Sequence, residues 1–120
     1  MKTLIFGIIL TFSIPFTAFA MTIGTFKSYD RSGVGLVTAD IDGDGDMDVL
    51  VATTRTKKIK LLKNNGAGVF SESYIGTFKS YDQSGIGLTA ADMDGDGDID
   101  VLVATARTRE VKLIKNEGKW

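Results

Sequence analysis

The chain has 120 residues, 14 of them basic and 15 acidic, and contains neither histidine nor cysteine. That length accommodates one small domain. The near-balanced charge argues against a nucleic-acid partner, and the missing residue types exclude disulfides and the usual zinc and copper ligands.

The first element is a leader. "MKTLIFGIILTFSIPFTAFA" carries a positive end at Lys2, an apolar run over residues 4–16 broken at Pro15, and the small-x-small pair Ala18 and Ala20. This is the pattern of a secretory signal peptide over residues 1–20, cut after Ala20. The apolar run is shorter than the ~20 residues of a spanning helix, and no cysteine follows it to carry a lipid. Stable membrane insertion is therefore not expected. The mature chain would begin at Met21, in a secreted, periplasmic or extracellular setting. Loss of Lys2 leaves 13 basic and 15 acidic side chains, a formal net charge of −2.

After the leader, one unit is used twice. "IGTFKSYDRSGVGLVTADIDGDGDMDVL" from Ile23 aligns without a gap to "IGTFKSYDQSGIGLTAADMDGDGDIDVL" from Ile75, with 22 of 28 positions identical, and the next sixteen positions add ten identities. The repeats are placed at residues 21–72 and 73–120, the second shortened at its end. Within a unit, "GLVTA" and "DVLVAT" are short β-branched strands flanking an acidic loop. "KKIKLLK" then puts Ile59 and Leu61 on one face and Lys58, Lys60 and Leu62 on the other. Turns fall at "DRSGVG", "DGDGD", residues 54–56 and "NNGAG", and "GVFSESYIGTF" supplies a fourth strand. A helix through "KKIKLLKNN" would contradict these strand signals and the following Asn-Gly. The second unit repeats the pattern with Val111 and Leu113 for Ile59 and Leu61.

Each acidic loop places aspartates at alternate positions: Asp40, Asp42, Asp44, Asp46 and Asp48, then Asp92, Asp94, Asp96, Asp98 and Asp100. Their mutual repulsion requires a counter-charge. In a chain curled around one point, carboxylates at positions 1, 3 and 5 converge, Gly45 and Gly97 permit the reversal, a backbone carbonyl at position 7 turns inward, and position 9 closes the shell. Such all-oxygen, flexible donor sets select calcium over magnesium. An EF-hand would need a bidentate Glu where Val51 and Val103 stand, and helices that the pattern lacks. A paired-carboxylate hydrolase would need one singular acid pair, whereas this loop occurs twice. Asp-Gly turns occur without ions, but ten carboxylates in two loops exceed what a turn requires. The apolar residues Ile41, Met47, Met93 and Ile99 tie both loops to a core. Two bound calcium ions would change the mature net charge from −2 to +2.

These loops, each followed by a short aliphatic strand and then "LLKNNGAGVF" or "LIKNEGKW", resemble the FG-GAP or VCBS repeats of integrin-alpha-like β-propellers. The resemblance implies ion-binding aspartates at Asp40, Asp42, Asp44 and Asp48 and at Asp92, Asp94, Asp96 and Asp100. It also implies main-chain carbonyls from Asp46 and Asp98, and a structural calcium between the first two strands of each blade. The fold expected from it is all-β: two four-stranded antiparallel propeller-type blades, either a partial propeller or a ring completed by oligomerisation. Two blades cannot close a ring, so several chains would assemble, or the chain is a piece of a longer propeller, or the two units pack as something smaller such as a sandwich. Because the second copy stops at "NEGKW" where the first goes on, the last strand of the second blade would be missing or come from elsewhere, for example residues 22–29 of this or a neighbouring chain. Trp120 would stand in for Phe70.

The functional expectation is a calcium-binding secreted repeat protein serving structure, adhesion or recognition, without catalysis of its own. Its partners would be a homo-oligomer or further blades, with a protein or glycan ligand. The alternatives are an accessory piece of a secreted carbohydrate-active enzyme, or a lectin-like binder. Arg55, Lys57, Lys58, Lys60 and Lys63, repeated as Arg107, Arg109, Lys112 and Lys115, form a basic strip that is either a solvated face or a contact for an anionic surface. Tyr29 and Tyr81 are either rim packing or sugar platforms.

Overall fold

Short β-branched runs with alternating apolar positions form strands because successive side chains point to opposite faces. A computed structural model describes residues 20–120, so the expected leader lies outside the described residues apart from Ala20. Seven strands follow: β1 (Val34–Ala39), β2 (Asp48–Thr53), β3 (Lys58–Asn64), β4 (Phe70–Thr77), β5 (Ile86–Ala91), β6 (Asp100–Thr105) and β7 (Glu110–Ile114). They form a four-stranded antiparallel sheet ordered β1-β2-β3-β4 and a three-stranded one ordered β5-β6-β7. The β2–β3 turn includes Lys57 in the left-handed region, and its equivalent includes Arg109. Among the described residues no helix is long and apolar enough to cross a membrane.

Registers in the two copies correspond. Val51 pairs with Leu36 and Lys60, as Val103 pairs with Leu88 and Lys112. The "KKIKLLK" segment is a strand with Ile59 and Leu61 buried, as its alternation requires.

The expectation of two four-stranded propeller-type blades is corrected by this topology. The second sheet has three strands, and both sheets are open, neither curling nor closing as such a blade would. The physical reason lies after Ile114: Lys115, Asn116, Glu117 and Gly118 offer no β-branched run comparable with Phe70–Thr77, so among the described residues nothing pairs with the outer edge of β7. The two sheets stack face to face instead.

The core is that stack. The inner face of the first sheet, with Leu50, Ala52, Ile59 and Leu61, packs on Val101 and Val103 of the second, joined by Phe78 and Ile41. Ile86, Leu88, Ile114 and Trp120 close its rim. Gly35 allows the sheets to approach: a Cβ there would lie 3.0 Å from Leu88 Cβ. Backbone bonds cross at the end of the stack, where Gly33 N–H donates to Ser84 O at 3.1 Å.

Candidate metal centre

Each acidic loop leaves one strand and enters the next, from β1 to β2 and from β5 to β6. The reversal needs two residues in the left-handed region, and glycines supply them: Gly43 and Gly45 have φ of 72° and 93°, and Gly95 and Gly97 have 75° and 91°. The Asp side chains then bind their own loop. Gly45 N–H donates to Asp40 Oδ2 (2.9 Å), Asp44 N–H to Asp40 Oδ1 (3.1 Å) and Asp46 N–H to Asp44 Oδ1 (2.8 Å). The second loop repeats this: Gly97 N–H donates to Asp92 Oδ2 (2.9 Å) and Asp98 N–H to Asp96 Oδ1 (2.9 Å).

Nine of the ten sequence-predicted residues fall into three groups, with Asp100 in two of them; the tenth, Asp96, is outside the second triad, where Asp100 stands instead. Carboxylate oxygens of Asp40, Asp42 and Asp44 lie within 4.8 Å of one another, and so do those of Asp92, Asp94 and Asp100. Oxygens sharing one calcium at about 2.4 Å can lie no more than about 4.8 Å apart. Both triads therefore fit a divalent cation, and their donors are all hard oxygens. Asp48 and Asp100 are fully buried. Asp48 accepts from Ile41 N–H (2.9 Å) and Asn64 N–H (2.8 Å), and Asp100 from Met93 N–H (3.0 Å) and Asn116 N–H (2.9 Å). These two fasten the loop to the strand beyond it. Asp46 and Asp98 stay out of both triads and lie beside the next turn: a Cβ on Gly66 would fall 2.6 Å from Asp46 Oδ2, and one on Gly118 3.6 Å from Asp98 Oδ2.

Sequence reasoning missed the loops' internal cations. Lys63 Nζ lies 3.1 Å from Asp42 Oδ2, and Lys115 Nζ lies 2.8 Å from Asp94 Oδ2. Both lysines had been assigned to the basic strip; their recurrence at equivalent repeat positions was the available signal. Desolvation opposes ionisation of Asp42, but the Lys63 ammonium and the Asp44 amide outweigh it and hold its pKa below the ordinary value. Lys115 likewise lowers Asp94 and is itself raised by that carboxylate. At position 5 the balance reverses. The Asp46 amide favours the Asp44 carboxylate, yet desolvation and the charges of Asp42 and Asp46 raise its pKa, and Asp96 behaves in the same way beside Asp94 and Asp98. Neighbouring carboxyls pushed in opposite directions mark a site with more negative charge than one lysine neutralises.

Elsewhere much of the basic strip meets internal partners. Lys57 pairs with Asp82 at 3.3 Å and Lys60 with Glu72 at 3.1 Å. The guanidinium groups of Arg55 and Arg107 lie over the rings of Tyr29 and Tyr81, 4.9 and 5.8 Å from their centroids, so each tyrosine has one face covered by its own repeat. Lys60 and Lys112 also donate to Thr25 O and Thr77 O, at 2.6 and 2.7 Å.

A family model described as FG-GAP-like repeat matches residues 40–103, from the first aspartate of one loop to the strand beyond the other, more than half the chain. The chain belongs to the FG-GAP-like repeat family. The FG-GAP-like match spans both triads, so family sequence and site geometry coincide. No curated protein and no solved structure matches the chain.

Proposed function

We propose that this chain is an exported calcium-dependent repeat module, in which one ion in each acidic loop stiffens a small β framework that presents its other turns to a protein or glycan ligand. The observation that carries this reading is the convergence of three carboxylates, twice, at distances one cation can bridge. Asp40, Asp42, Asp44 and Asp48 would hold the first ion and Asp92, Asp94, Asp96 and Asp100 the second, with the backbone carbonyls of Asp46 and Asp98 completing each shell. Export rests on the leader over residues 1–20, and the repeats are taken as residues 21–72 and 73–120. Catalysis is not part of the reading, since the same donor set occurs twice and no acid pair is singled out.

Calcium titration calorimetry and thermal melts with and without chelator test it. Two ions per chain are expected. At a tenfold excess over Kd each ion stabilises the fold by about 1.4 kcal/mol, so chelator lowers the melting temperature. Folded protein that takes up no calcium at millimolar supply, with an unchanged melt, defeats the reading.

A further inference from the structure

The two sheets stack head to tail, each through a different face. The first uses its inner face, Leu50, Ala52, Ile59 and Leu61, and the second receives it on Val101, Val103 and the flanking Leu88. Repeat equivalence then identifies two unsatisfied surfaces. On the second sheet, the counterparts of the inner face are Leu102, Ala104, Val111 and Leu113, and the last two are 68% and 47% exposed where Ile59 and Leu61 are 0% and 1%. On the first sheet, the counterparts of the receiving face include Leu36, 67% exposed, and Phe26, 49% exposed where Phe78 is 7%. Each surface carries an apolar groove, one along Gly87, Leu102, Ala104 and Val111, the other along Ile23, Phe26, Leu36 and Leu62.

We propose that these two surfaces bind each other between chains: the far face of the second sheet takes the outer face of the first sheet of another copy, repeating the contact already present inside the chain. The occupant is a second copy because the internal interface already pairs these two surface types in this register, with the same residues or close apolar equivalents. Gly87 supports the match. At its counterpart Gly35, a Cβ would lie 3.0 Å from Leu88 Cβ, whereas a Cβ on Gly87 meets only Ala104, at 3.8 Å. The space that Leu88 fills against Gly35 is therefore open above Gly87, and Leu36 of a second copy is the equivalent side chain. The same repeat equivalence brings residues 22–25 of that copy alongside the unpaired edge of β7, as Tyr74, Gly76 and Thr77 lie along β3. Contact between unlike faces is heterologous, so one surface on each copy stays free for the next.

The experiment uses the whole chain by sedimentation velocity across a concentration series. The unaltered chain is expected to gain mass with concentration. Gly87→Leu fills the landing space without crowding its own chain, and Leu36→Glu charges the opposite surface; each variant alone is expected to remain a single chain with an unchanged circular dichroism spectrum. Val111→Glu serves in place of Gly87→Leu if that variant loses its strands. Mixed, the Gly87→Leu and Leu36→Glu copies each retain one intact and complementary surface, so a one-to-one complex forms and grows no further. An unaltered chain that stays single at every concentration overturns the proposal, as do single variants that still associate. A mixture that fails to pair overturns it too, because a symmetric contact would not be rescued by mixing.

Discussion

Strands β3 and β7 arise from nearly the same sequence, "KIKLLKN" and "EVKLI", and lead opposite lives. Ile59 and Leu61 are buried beneath the second sheet, and β4 pairs with the outer edge of β3; Val111 and Leu113 face outward from an unpaired edge. The difference teaches that an alternating pattern specifies a face fit for burial and leaves the burial itself to whatever lies opposite. A duplicated unit always creates this asymmetry when its two faces pack on each other, since the first copy keeps one face open and the second copy keeps the other.

The sharpest way to break the comparison is to truncate equivalent leucines. Leu61→Ala should cost about 2 to 5 kcal/mol, the usual range for a buried leucine, while Leu113→Ala should stay within about 0.5 kcal/mol, as exposed positions do. Urea denaturation of dilute samples reads both, and equal losses would mean that the two strands are equally buried. Next comes the asparagine pair. Asn64 Nδ2 donates to Met47 O within its own repeat (3.1 Å, exposed), whereas Asn116 Nδ2 donates across the stack to Ile41 O (3.2 Å, buried). Asn116→Ala leaves a buried carbonyl without its donor and should cost about 1 to 3 kcal/mol; Asn64→Ala, replaced by water, should cost clearly less. Calcium titration of Asn116→Ala should also weaken the first loop more than the second, because Ile41 sits between Asp40 and Asp42.

The smallest effect belongs to a contact that only the first repeat makes. Lys60 has Glu72 of β4 beside it, and among the described residues Lys112 has no such acid, because no fourth strand pairs there with β7. The Lys60 ammonium holds Glu72 below the ordinary value of 4.5. A carboxyl lowered in the folded state adds stability that is fully present above its unfolded pKa and is lost as pH falls through the folded value. Glu72→Gln should therefore lower stability slightly at neutral pH, where the exposed pair contributes, and converge on the unaltered chain at acid pH. Melts from neutral to acid pH measure this, and an effect growing as pH falls would contradict it.

Much of this architecture was legible in the chain. Gly45 and Gly97, the Asn-Gly turns and the period-two runs each act through their own residues' backbone preferences, so strands, turns and loop reversals follow from local chemistry. The convergence of Asp40, Asp42 and Asp44 was legible for the same reason. The lysines in the loops were not, because Lys63 reaches Asp42 only after β2 and β3 have paired. Nor was the buried fastening role of Asp48 and Asp100, whose amide donors come partly from the far end of the next strand. The propeller-type expectation extended a local resemblance to a closure that the three-stranded second sheet does not make.

By itself, the sequence determined the repeat, its short extended segments and two acidic turns rich enough in oxygen donors to hold a cation, because each depends on residues close together along the chain. Only the tertiary structure decided which apolar faces meet, which ammonium enters each loop and which edge is left unpaired. Those outcomes depend on surfaces brought together from distant positions, and two copies of one sequence can share every local preference while their surroundings differ.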